Sequence, residues 1–342
     1  GKYYHPGGQS ADGAKDDPVH PAGPGTPPMA DRDVSWSPAG PNGTIQFPDQ
    51  RIFQKKYGHF HAHSKAAGEF GPFGNFEYLN PDDEACHDSF CTVPWPMDGT
   101  SPQPPAPNQQ ALADFITYKD AIAKLRFAAA NRKQTGQPFF LVTGIKRPHL
   151  QWRVPQGYAD MYPAETCAVP TQLTLDRSIN PIAYSVFPMT VNGTDFVKSP
   201  FSHGSDAQLK ELRRHYYAAV SWADFAAGQI LNELDSLSLT NDTMVVLHSD
   251  HGWHLGEYAQ FEKRTNWELG TRVPLIIRTP WLKNSAGKRT QALVELVDLY
   301  KTVCDVMGVD LPDDSVPLDG TSLRPILEDT TKTVKDVALS TH

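Results

Sequence analysis

Apolar residues recur at intervals of three and four along three segments of the chain. The first segment covers residues 111–132, and the second and most regular one covers about 206–237, with Asp206 as the expected N-cap. The third runs from Val294 to Val309 and stops before Pro312. This spacing is typical of helices that place one apolar face on a core, so the pattern predicts three helices.

Short continuous apolar runs predict buried strands elsewhere. They lie at Phe139–Gly144, at 243–248 and at Pro274–Arg278. Strand, helix, strand, strand and helix in this order predict an α/β fold with a mixed or mostly parallel central sheet and helices on its faces. The stretches 6–50, 92–110 and 146–205 lack a clear period and predict long irregular loops of the kind that form lids or binding rims.

Composition restricts the classes of protein that fit. The chain has 342 residues, 39% of them hydrophobic, which suffices for one large α/β domain or two smaller ones. A net charge of −8 argues against a nucleic-acid partner, and we expect no membrane span because no apolar run is long enough. The chain opens without an initiator Met and without a secretory signal, so we expect it to be part of a longer protein.

Four cysteines and three glycosylation sequons bear on the cellular compartment. Cys86 and Cys91 could close a small bridge, whereas Cys167 and Cys304 lie among apolar residues and are expected to be buried. The three sequons all fall in predicted turns, as surface acceptors should. They begin at Asn42, Asn192 and Asn241. Together these features favour a glycoprotein of a lysosomal or secreted setting, or a periplasmic or extracellular one if the source is bacterial.

The most specific candidate site follows the predicted strand 243–248. There the apolar run ends at Asp250-His251-Gly252-Trp253, and Lys263 comes shortly after. Open α/β sheets bind ligands at the carboxyl ends of their strands, so an acid and an imidazole released there indicate a metal site. The ordinary alternative is a strand followed by a polar turn, but the combination of acid, imidazole, glycine, indole and lysine favours a functional site.

Further cationic and proton-donating side chains lie in other irregular segments. Lys2 and His5 share the opening segment, and His149 follows the predicted strand 139–144. Taken singly, a loop lysine is usually solvated and a histidine is usually structural. If the loops converge with Lys263, they form a pocket of positive groups beside one metal, which suits a tetrahedral oxyanion.

The quoted residues resemble those of type I sulfatases in the alkaline-phosphatase superfamily. The resemblance is carried by His248 to Glu257, followed by Lys263 and Arg272-Val273-Pro274-Leu275, by the opening segment 1–7 and by Lys146-Arg147-Pro148-His149. These segments occur in the family's order and extend to about residue 325. The resemblance implies an alkaline-phosphatase-like fold and hydrolysis of a carbohydrate sulfate ester, with a 2-O-sulfated uronate of a glycosaminoglycan as the nearest analogy.

The resemblance also implies roles for the metal ligands and for the groups that hold the substrate. Asp250 and His251 would bind one divalent ion, calcium in this family, with two further aspartate ligands and the formylglycine expected upstream of residue 1. Lys2 and Lys263 would hold the sulfate oxygens, and Trp253 would form a wall of the substrate pocket. Fixed cations and a metal suit sulfuryl transfer, because the reaction spreads negative charge over the equatorial oxygens.

Two histidines complete the implied site. His5 would handle the proton of an aldehyde hydrate, and His149 would bind sulfate and assist the leaving oxygen; imidazoles suit both tasks near neutral pH. The family's nucleophile is a formylglycine made from the cysteine of Cys-x-Pro-Ser-Arg, and none of the four cysteines here lies in that motif. We therefore expect residues 1–342 to be a partial sulfatase catalytic domain, truncated at both ends, that does not turn over as it stands.

Three alternatives stay open from sequence alone. Ligand chemistry alone would suggest zinc, because calcium normally takes six or more oxygen ligands and imidazole suits zinc, and only the resemblance favours calcium. A phosphatase or phosphodiesterase of the same superfamily would place two zinc ions at such a site, although Lys2, His5 and Lys263 weigh against it. A non-catalytic glycan-binding homologue would keep the fold without a nucleophile.

Overall fold

A computed structural model describes residues 90–93, 113–150, 152–176, 178–184, 188–191, 194–198, 204–311 and 318–340. The helices are α1 (Ala113–Thr135), α2 (Gln156–Asp160), α3 (Asp206–Ser236), α4 (Glu268–Thr271), α5 (Asp298–Met307) and α6 (Arg324–Glu328). The strands are β1 (Phe90–Val93), β2 (Trp152–Pro155), β3 (Pro188–Val191), β4 (Thr194–Lys198), β5 (Val245–His248), β6 (His254–Leu255), β7 (Phe261–Glu262) and β8 (Leu275–Arg278).

The long helix α3 forms the centre of the core. It begins with a reciprocal capping box, in which the Ser205 hydroxyl accepts a hydrogen bond from the Gln208 N–H and the Gln208 side chain accepts one from the Ser205 N–H. The expectation that Asp206 is the N-cap is therefore wrong by one residue. The buried face of α3 includes Leu209, Leu212 and Trp222, while Val220 is 43% exposed.

Helix α1 packs against α3, and β2 and α2 pack on the same side chains. The shared core contains Phe115, Tyr118, Trp152, Leu212 and Trp222, all buried. Because these apolar side chains belong to helices and strands alike, the structure confirms the α/β class. The three predicted helices are also confirmed, with the third shortened to Asp298–Met307 and ended by Gly308 in the left-handed conformation.

The strands pair two by two in the described residues. β1 and β2 are parallel, whereas β3–β4, β5–β8 and β6–β7 are antiparallel. Both orientations occur, as expected of a mixed arrangement, but the described strands do not join into one continuous central sheet. In the β5–β8 pair, Val245 faces Arg278 and His248 faces Leu275. β5 ends at His248, so Asp250 follows two residues after the paired part of the strand.

Two sequence expectations about individual segments are wrong. Residues 139–144 form no strand among the described residues: Phe139 and Leu141 pack beside Val245, while Phe140 is 79% exposed. The apolar run predicted a buried strand here, but such a run does not by itself provide a partner strand. The stretch 146–205 is not irregular throughout, since it contains β2, α2, the β3–β4 hairpin and two short 3₁₀ turns.

The cysteines and sequons are only partly within the described residues. Cys167 is buried as expected, and Cys304 is only partly buried. Cys86, Asn42 and Asn192 lie outside the described residues, so the possible bridge to Cys91 stays a prediction. Asn241 lies exposed in the turn between α3 and β5. In the described part of the chain, no helix combines the length and the apolar character that crossing a bilayer requires.

Candidate functional site

The turn that follows β5 brings the two predicted metal ligands together. His251 Nε2 lies 3.6 Å from Asp250 Oδ2, and the carboxylate is about half exposed. The Ser249 hydroxyl donates a 2.7 Å hydrogen bond to the His251 carbonyl and so closes the turn. A carboxylate and an imidazole therefore lie side by side at the end of a strand, where α/β folds commonly bind ligands.

A local hydrogen bond fixes the tautomer and the orientation of the His251 ring. Its Nδ1 lies 2.8 Å from the Gly252 carbonyl, which can only accept, so Nδ1 carries the proton and the neutral ring keeps its lone pair at Nε2. Two ligands of one ion lie roughly 3–4 Å apart when each bond is about 2.0–2.5 Å long. The separation of Nε2 and the carboxylate oxygen fits that range.

The donor set can be tested against the implied cation. Asp250 supplies a hard oxygen that suits calcium, and His251 supplies a nitrogen that suits zinc. Within the part of the chain that the structure describes, no group of three or more His, Cys, Asp and Glu side chains could hold a metal. The described residues thus fit a cation as two of its ligands, without distinguishing calcium from zinc.

Gly252 fixes this turn by a close approach to α4. Its N–H donates a 2.8 Å hydrogen bond to the Gly270 carbonyl, and a Cβ at this position would lie 2.1 Å from the Leu269 carbonyl oxygen. No side chain can be accommodated there without moving backbone. The helix α4 therefore holds the metal-ligand turn in place.

The short β6–β7 ladder brings Lys263 next to Trp253. His254 faces Glu262 in the ladder, so the residues just outside it, Trp253 and Lys263, are the next pair in register. The Lys263 ammonium lies 5.3 Å from the centre of the Trp253 ring, within the range of a cation–π interaction. The Trp253 ring centre is also 6.2 Å from that of His251. The ammonium of Lys263, the indole of Trp253 and the imidazole of His251 consequently form one cluster.

Aromatic packing connects this cluster to the segment that carries His149. Trp253 lies against Tyr216 of α3 and edge-on to the buried Trp152, at ring-centre distances of 6.3 and 6.2 Å. Trp152 Nε1 in turn donates a 2.7 Å hydrogen bond to the Pro148 carbonyl. His149 therefore directly follows Pro148, whose carbonyl is hydrogen-bonded to Trp152, and Trp152 contacts Trp253 of the cluster.

A buried ion pair supports the same segment from α1. Asp114 and Arg147 lie 3.9 Å apart with both side chains 1% exposed, and the other Asp114 oxygen accepts a 2.5 Å hydrogen bond from the Lys146 N–H. Burial lowers the pKa of Arg147, and the Asp114 charge partly offsets this effect. The turn before His149 is thus held by a charge inside the core.

A second buried polar group lies beneath Lys263. His254 is fully buried, and its Nε2 lies 2.8 Å from the Thr265 hydroxyl. Burial lowers the pKa of His254 to about 4, with a smaller opposing effect of Glu257. Thr265 also donates its N–H to the Lys263 carbonyl, and a Cβ on Gly270 would lie within 3.1 Å of both residues. The backbone of Lys263 is therefore tightly packed.

The structure gathers most of the residues that the sequence singled out. Asp250, His251, Trp253 and Lys263 form the cluster, and His149 is attached to it through Trp152 and Pro148. Lys2 and His5 lie outside the described residues, so their roles stay predictions.

Sequence reasoning missed the residues that hold this cluster in place. They are Asp114, Arg147, His254, Thr265 and Gly270. Asp114 contacts Lys146 and Arg147 across more than thirty residues of sequence, and no local pattern predicts such a contact. Arg147 and His254 lie within the segments that resemble the family, and this position was the available signal for them.

Comparison with known proteins identifies the family. A sequence profile described as sulfatase matches residues 64–309. This span covers most of the chain, including the whole Asp250–Lys263 cluster. The chain therefore belongs to the sulfatase family, which confirms the resemblance found from its motifs.

The chain is similar to particular members of that family. It is 30% identical over 231 residues to iduronate 2-sulfatase of Mus musculus, covering 59% of this chain and 41% of that protein. It is 28% identical over 242 residues to arylsulfatase K of Xenopus laevis, covering 67% of this chain and 42% of that protein. The chain spans about two fifths of the length of these curated relatives.

Two solved structures share the fold. One is a complex with the substrate D-glucosamine-2-N,6-O-disulfate, with a TM-score of 0.53, 24% identity, and coverage of 64% of this chain and 53% of that one. The other is the phosphonate monoester hydrolase of Agrobacterium radiobacter, with a TM-score of 0.52 and 24% identity. The match covers 62% of this chain and 42% of that one. At this identity they support the fold alone, and the expected fold class is confirmed.

Proposed function

We propose that this chain is part of the catalytic domain of a sulfuric ester hydrolase that acts on a carbohydrate sulfate. The observation that carries the proposal is the cluster in which Asp250 and His251 lie beside Trp253 and Lys263. A paired carboxylate and imidazole can hold a cation, and the adjacent ammonium can bind an anionic oxygen. Membership of the sulfatase family supports a sulfate ester as that anion.

Each described residue has a distinct task in this proposal. Lys263 binds a sulfate oxygen as a point charge, and its backbone is held by Thr265 so that the ammonium stays beside Trp253. Trp253 forms an apolar wall that excludes water and strengthens the charge interactions. His149 binds the sulfate and transfers a proton to the leaving oxygen. Lys2 and His5 would add a second cation and a second proton carrier.

Asp250 and His251 are the proposed ligands of one divalent cation, which we propose to be calcium by similarity to the family. When bound, such an ion stabilises negative charge on the ester oxygens as a Lewis acid. Asp250 would supply an oxygen ligand and a negative charge that attracts the cation. His251 would supply a nitrogen ligand whose direction is set in advance, since the Gly252 carbonyl fixes the orientation of its ring.

We propose a 2-O-sulfated uronate unit of a glycosaminoglycan as the substrate. The similarity to iduronate 2-sulfatase supports this choice, and the similarity to arylsulfatase K supports sulfate esters more broadly. A lysosomal or secreted glycoprotein, taking part in glycosaminoglycan degradation, is the matching setting, and the exposed Asn241 sequon is compatible with it.

Binding measurements with the 342-residue chain test this proposal. The chain, stripped of metal by a chelator, is titrated with Ca²⁺ and with Zn²⁺, and then with a uronate saccharide that carries either a sulfate or a phosphate at position 2. We expect one Ca²⁺ per chain and a preference for the sulfate ester, with no turnover of an aryl sulfate. Two Zn²⁺ per chain and a preference for the phosphate would instead indicate the phosphatase class of the same superfamily.

A further inference from the structure

We infer that Tyr258 and Trp267 form an accessory carbohydrate subsite, which stacks against the sugar unit next to the sulfated one. This inference rests on the proposed function and adds a second contact point for the same substrate. The two rings lie 4.8 Å apart at an angle of 52°. Tyr258 is 37% exposed, and Trp267 is partly buried.

The backbone conformation at Tyr258 is unfavourable for a tyrosine. Tyr258 and the next residue, Ala259, have φ values of 56° and 55°, in the left-handed region that glycine and asparagine adopt more readily. Such conformations persist where the surrounding structure enforces them, and they concentrate at functional sites. Tyr258 is still 37% exposed, so packing does not cover the whole side chain, and a ligand contact is a physical reason to keep the ring on strained backbone.

Hydrogen bonds from both residues hold the pair rigidly. The Tyr258 N–H donates a 2.7 Å hydrogen bond to the Gln172 carbonyl, and Trp267 Nε1 donates one of 2.5 Å to the Ala183 carbonyl. Ile182, which directly precedes Ala183 in the chain, is 77% exposed. The Trp267 ring and the Tyr258 backbone are therefore held before a ligand arrives, which lowers the entropic cost of binding.

The pair lies close to the proposed sulfate-binding residues. Trp267 packs edge-on against His254, whose ring centre is 6.4 Å away, and His254 directly follows Trp253 in the chain. Lys263 precedes Trp267 by four residues, which limits the distance between their Cα atoms to about 14 Å. An oligosaccharide whose sulfated unit contacts Lys263 can thus reach the aromatic pair with a neighbouring unit.

The chemistry of the pair selects a sugar ring. A pyranose has an apolar face of C–H groups, which packs on an aromatic ring, and hydroxyl groups that stay hydrated at its edge. Arg264 lies between Lys263 and Trp267 in sequence; its side chain is 63% exposed, and its positive charge, which also pairs with Glu262 at 3.5 Å, suits a polysulfated chain. The subsite is therefore expected to favour a sulfated oligosaccharide over a single sulfated sugar.

Calorimetric titration of the 342-residue chain with two saccharides tests the subsite. One is a 2-O-sulfated uronate monosaccharide, and the other is a tetrasaccharide that ends in the same unit. We expect the tetrasaccharide to bind about tenfold more tightly, which corresponds to about 1.4 kcal/mol from the stacking of one ring. Tyr258→Asn should remove this gain and leave the affinity for the monosaccharide unchanged.

The choice of variants separates a ligand contact from a structural role. Asparagine tolerates the left-handed conformation, so Tyr258→Asn should unfold at the same temperature as the wild type or a higher one while losing the gain. Tyr258→Phe keeps the ring and should keep the gain. Tyr300→Asn, which removes a tyrosine that is 54% exposed on α5, is the matched control.

The outcomes distinguish this inference from the proposed function. Equal affinities of the wild type for both saccharides, or a gain that survives Tyr258→Asn, would overturn the subsite. The proposed function would stand in that case if Lys263→Met still weakened binding of the monosaccharide. Absence of binding by either saccharide would contradict both.

Discussion

The ammonium of Lys263 lies 5.3 Å from the centre of the Trp253 ring, on the side of the fold where Trp253 also approaches His251. The β6–β7 ladder creates this relationship, because it sets the two residues opposite each other just beyond its last pair. A cation–π interaction at this distance favours conformations of the lysine side chain that keep the ammonium beside the indole. Lys263 is therefore positioned before substrate binds.

Removing this charge should weaken the binding of a sulfated sugar. We expect Lys263→Met to reduce the affinity about 10- to 100-fold, which corresponds to the loss of a hydrogen bond to a charged group. Lys263→Arg should lose less, because arginine keeps both the charge and the interaction with Trp253. Lys288→Met removes an exposed loop lysine and is the control. Calorimetric titration decides, and equal affinities of Lys263→Met and the control would argue against the role.

A methyl group at Gly252 should disrupt the metal-ligand turn. The added Cβ would lie 2.1 Å from the Leu269 carbonyl oxygen, so α4 or the turn must shift. We expect Gly252→Ala to cost at least about 1–3 kcal/mol in the free energy of unfolding, the range of overpacked cores. Gly228→Ala is the matched control, since no atom lies within 4 Å of a Cβ there and alanine favours the helix. Urea unfolding of the two variants should move in opposite directions.

Neutralising Asp114 should destabilise the fold strongly. Asp114→Asn leaves the Arg147 charge buried without its counter-charge, for which we expect a loss of about 3–5 kcal/mol. Asp242→Asn breaks the exposed pair with Arg132 and should cost under about 1 kcal/mol. Urea unfolding measures both variants. Similar small losses would show that the buried pair does not support the segment before His149.

The buried His254 should make stability depend on pH. Its folded pKa of about 4 lies below the ordinary 6.5, so the unfolded chain binds more protons between these values. Stability is thus fully present above about pH 6.5 and declines as the pH falls towards 4, by about 3 kcal/mol in total.

The contribution of His254 is isolated by comparing variants. Burial raises the pKa of Glu262, which acts with the opposite sign, since stability then falls as the pH rises through the titration of that carboxyl. We therefore compare unfolding free energies of the wild type and His254→Gln at pH 7 and pH 4. The wild type should lose more on acidification, and His248→Gln, which removes an exposed imidazole, should behave as the wild type. Parallel curves for wild type and His254→Gln would refute the assignment.

Periodic patterns predicted the elements that bury one face. Sequence reasoning found α3 from its apolar stripe, and it found β5 and β8 from their apolar runs. These patterns are informative because a local period of 3.6 or 2 determines which side chains can share a core. The same reasoning failed for residues 139–144, since pairing depends on a neighbouring strand and not on the run itself. It also missed β3 and β4, whose sequence lacks a strong apolar alternation.

The site was predictable where its residues are contiguous in sequence. Asp250, His251 and Trp253 follow one strand, and Lys263 returns to them through one hairpin. By contrast, Asp114 supports the His149 segment across more than thirty residues of sequence, and a single sequence contains no signal for such a pair. The contact between Tyr258 and Trp267 is short in sequence, but no helical or strand period predicts it.

The most direct test of the central claim is the coupling between calcium and the sulfated sugar. The affinity of the chain for a 2-O-sulfated uronate saccharide is measured by calorimetry without Ca²⁺ and at saturating Ca²⁺, in the wild type and in Asp250→Asn. A cation held beside Lys263 predicts that Ca²⁺ tightens binding about tenfold in the wild type, a coupling of about 1.4 kcal/mol, and that Asp250→Asn removes this effect. Affinities that do not change with Ca²⁺, or a coupling that persists in Asp250→Asn, would contradict it.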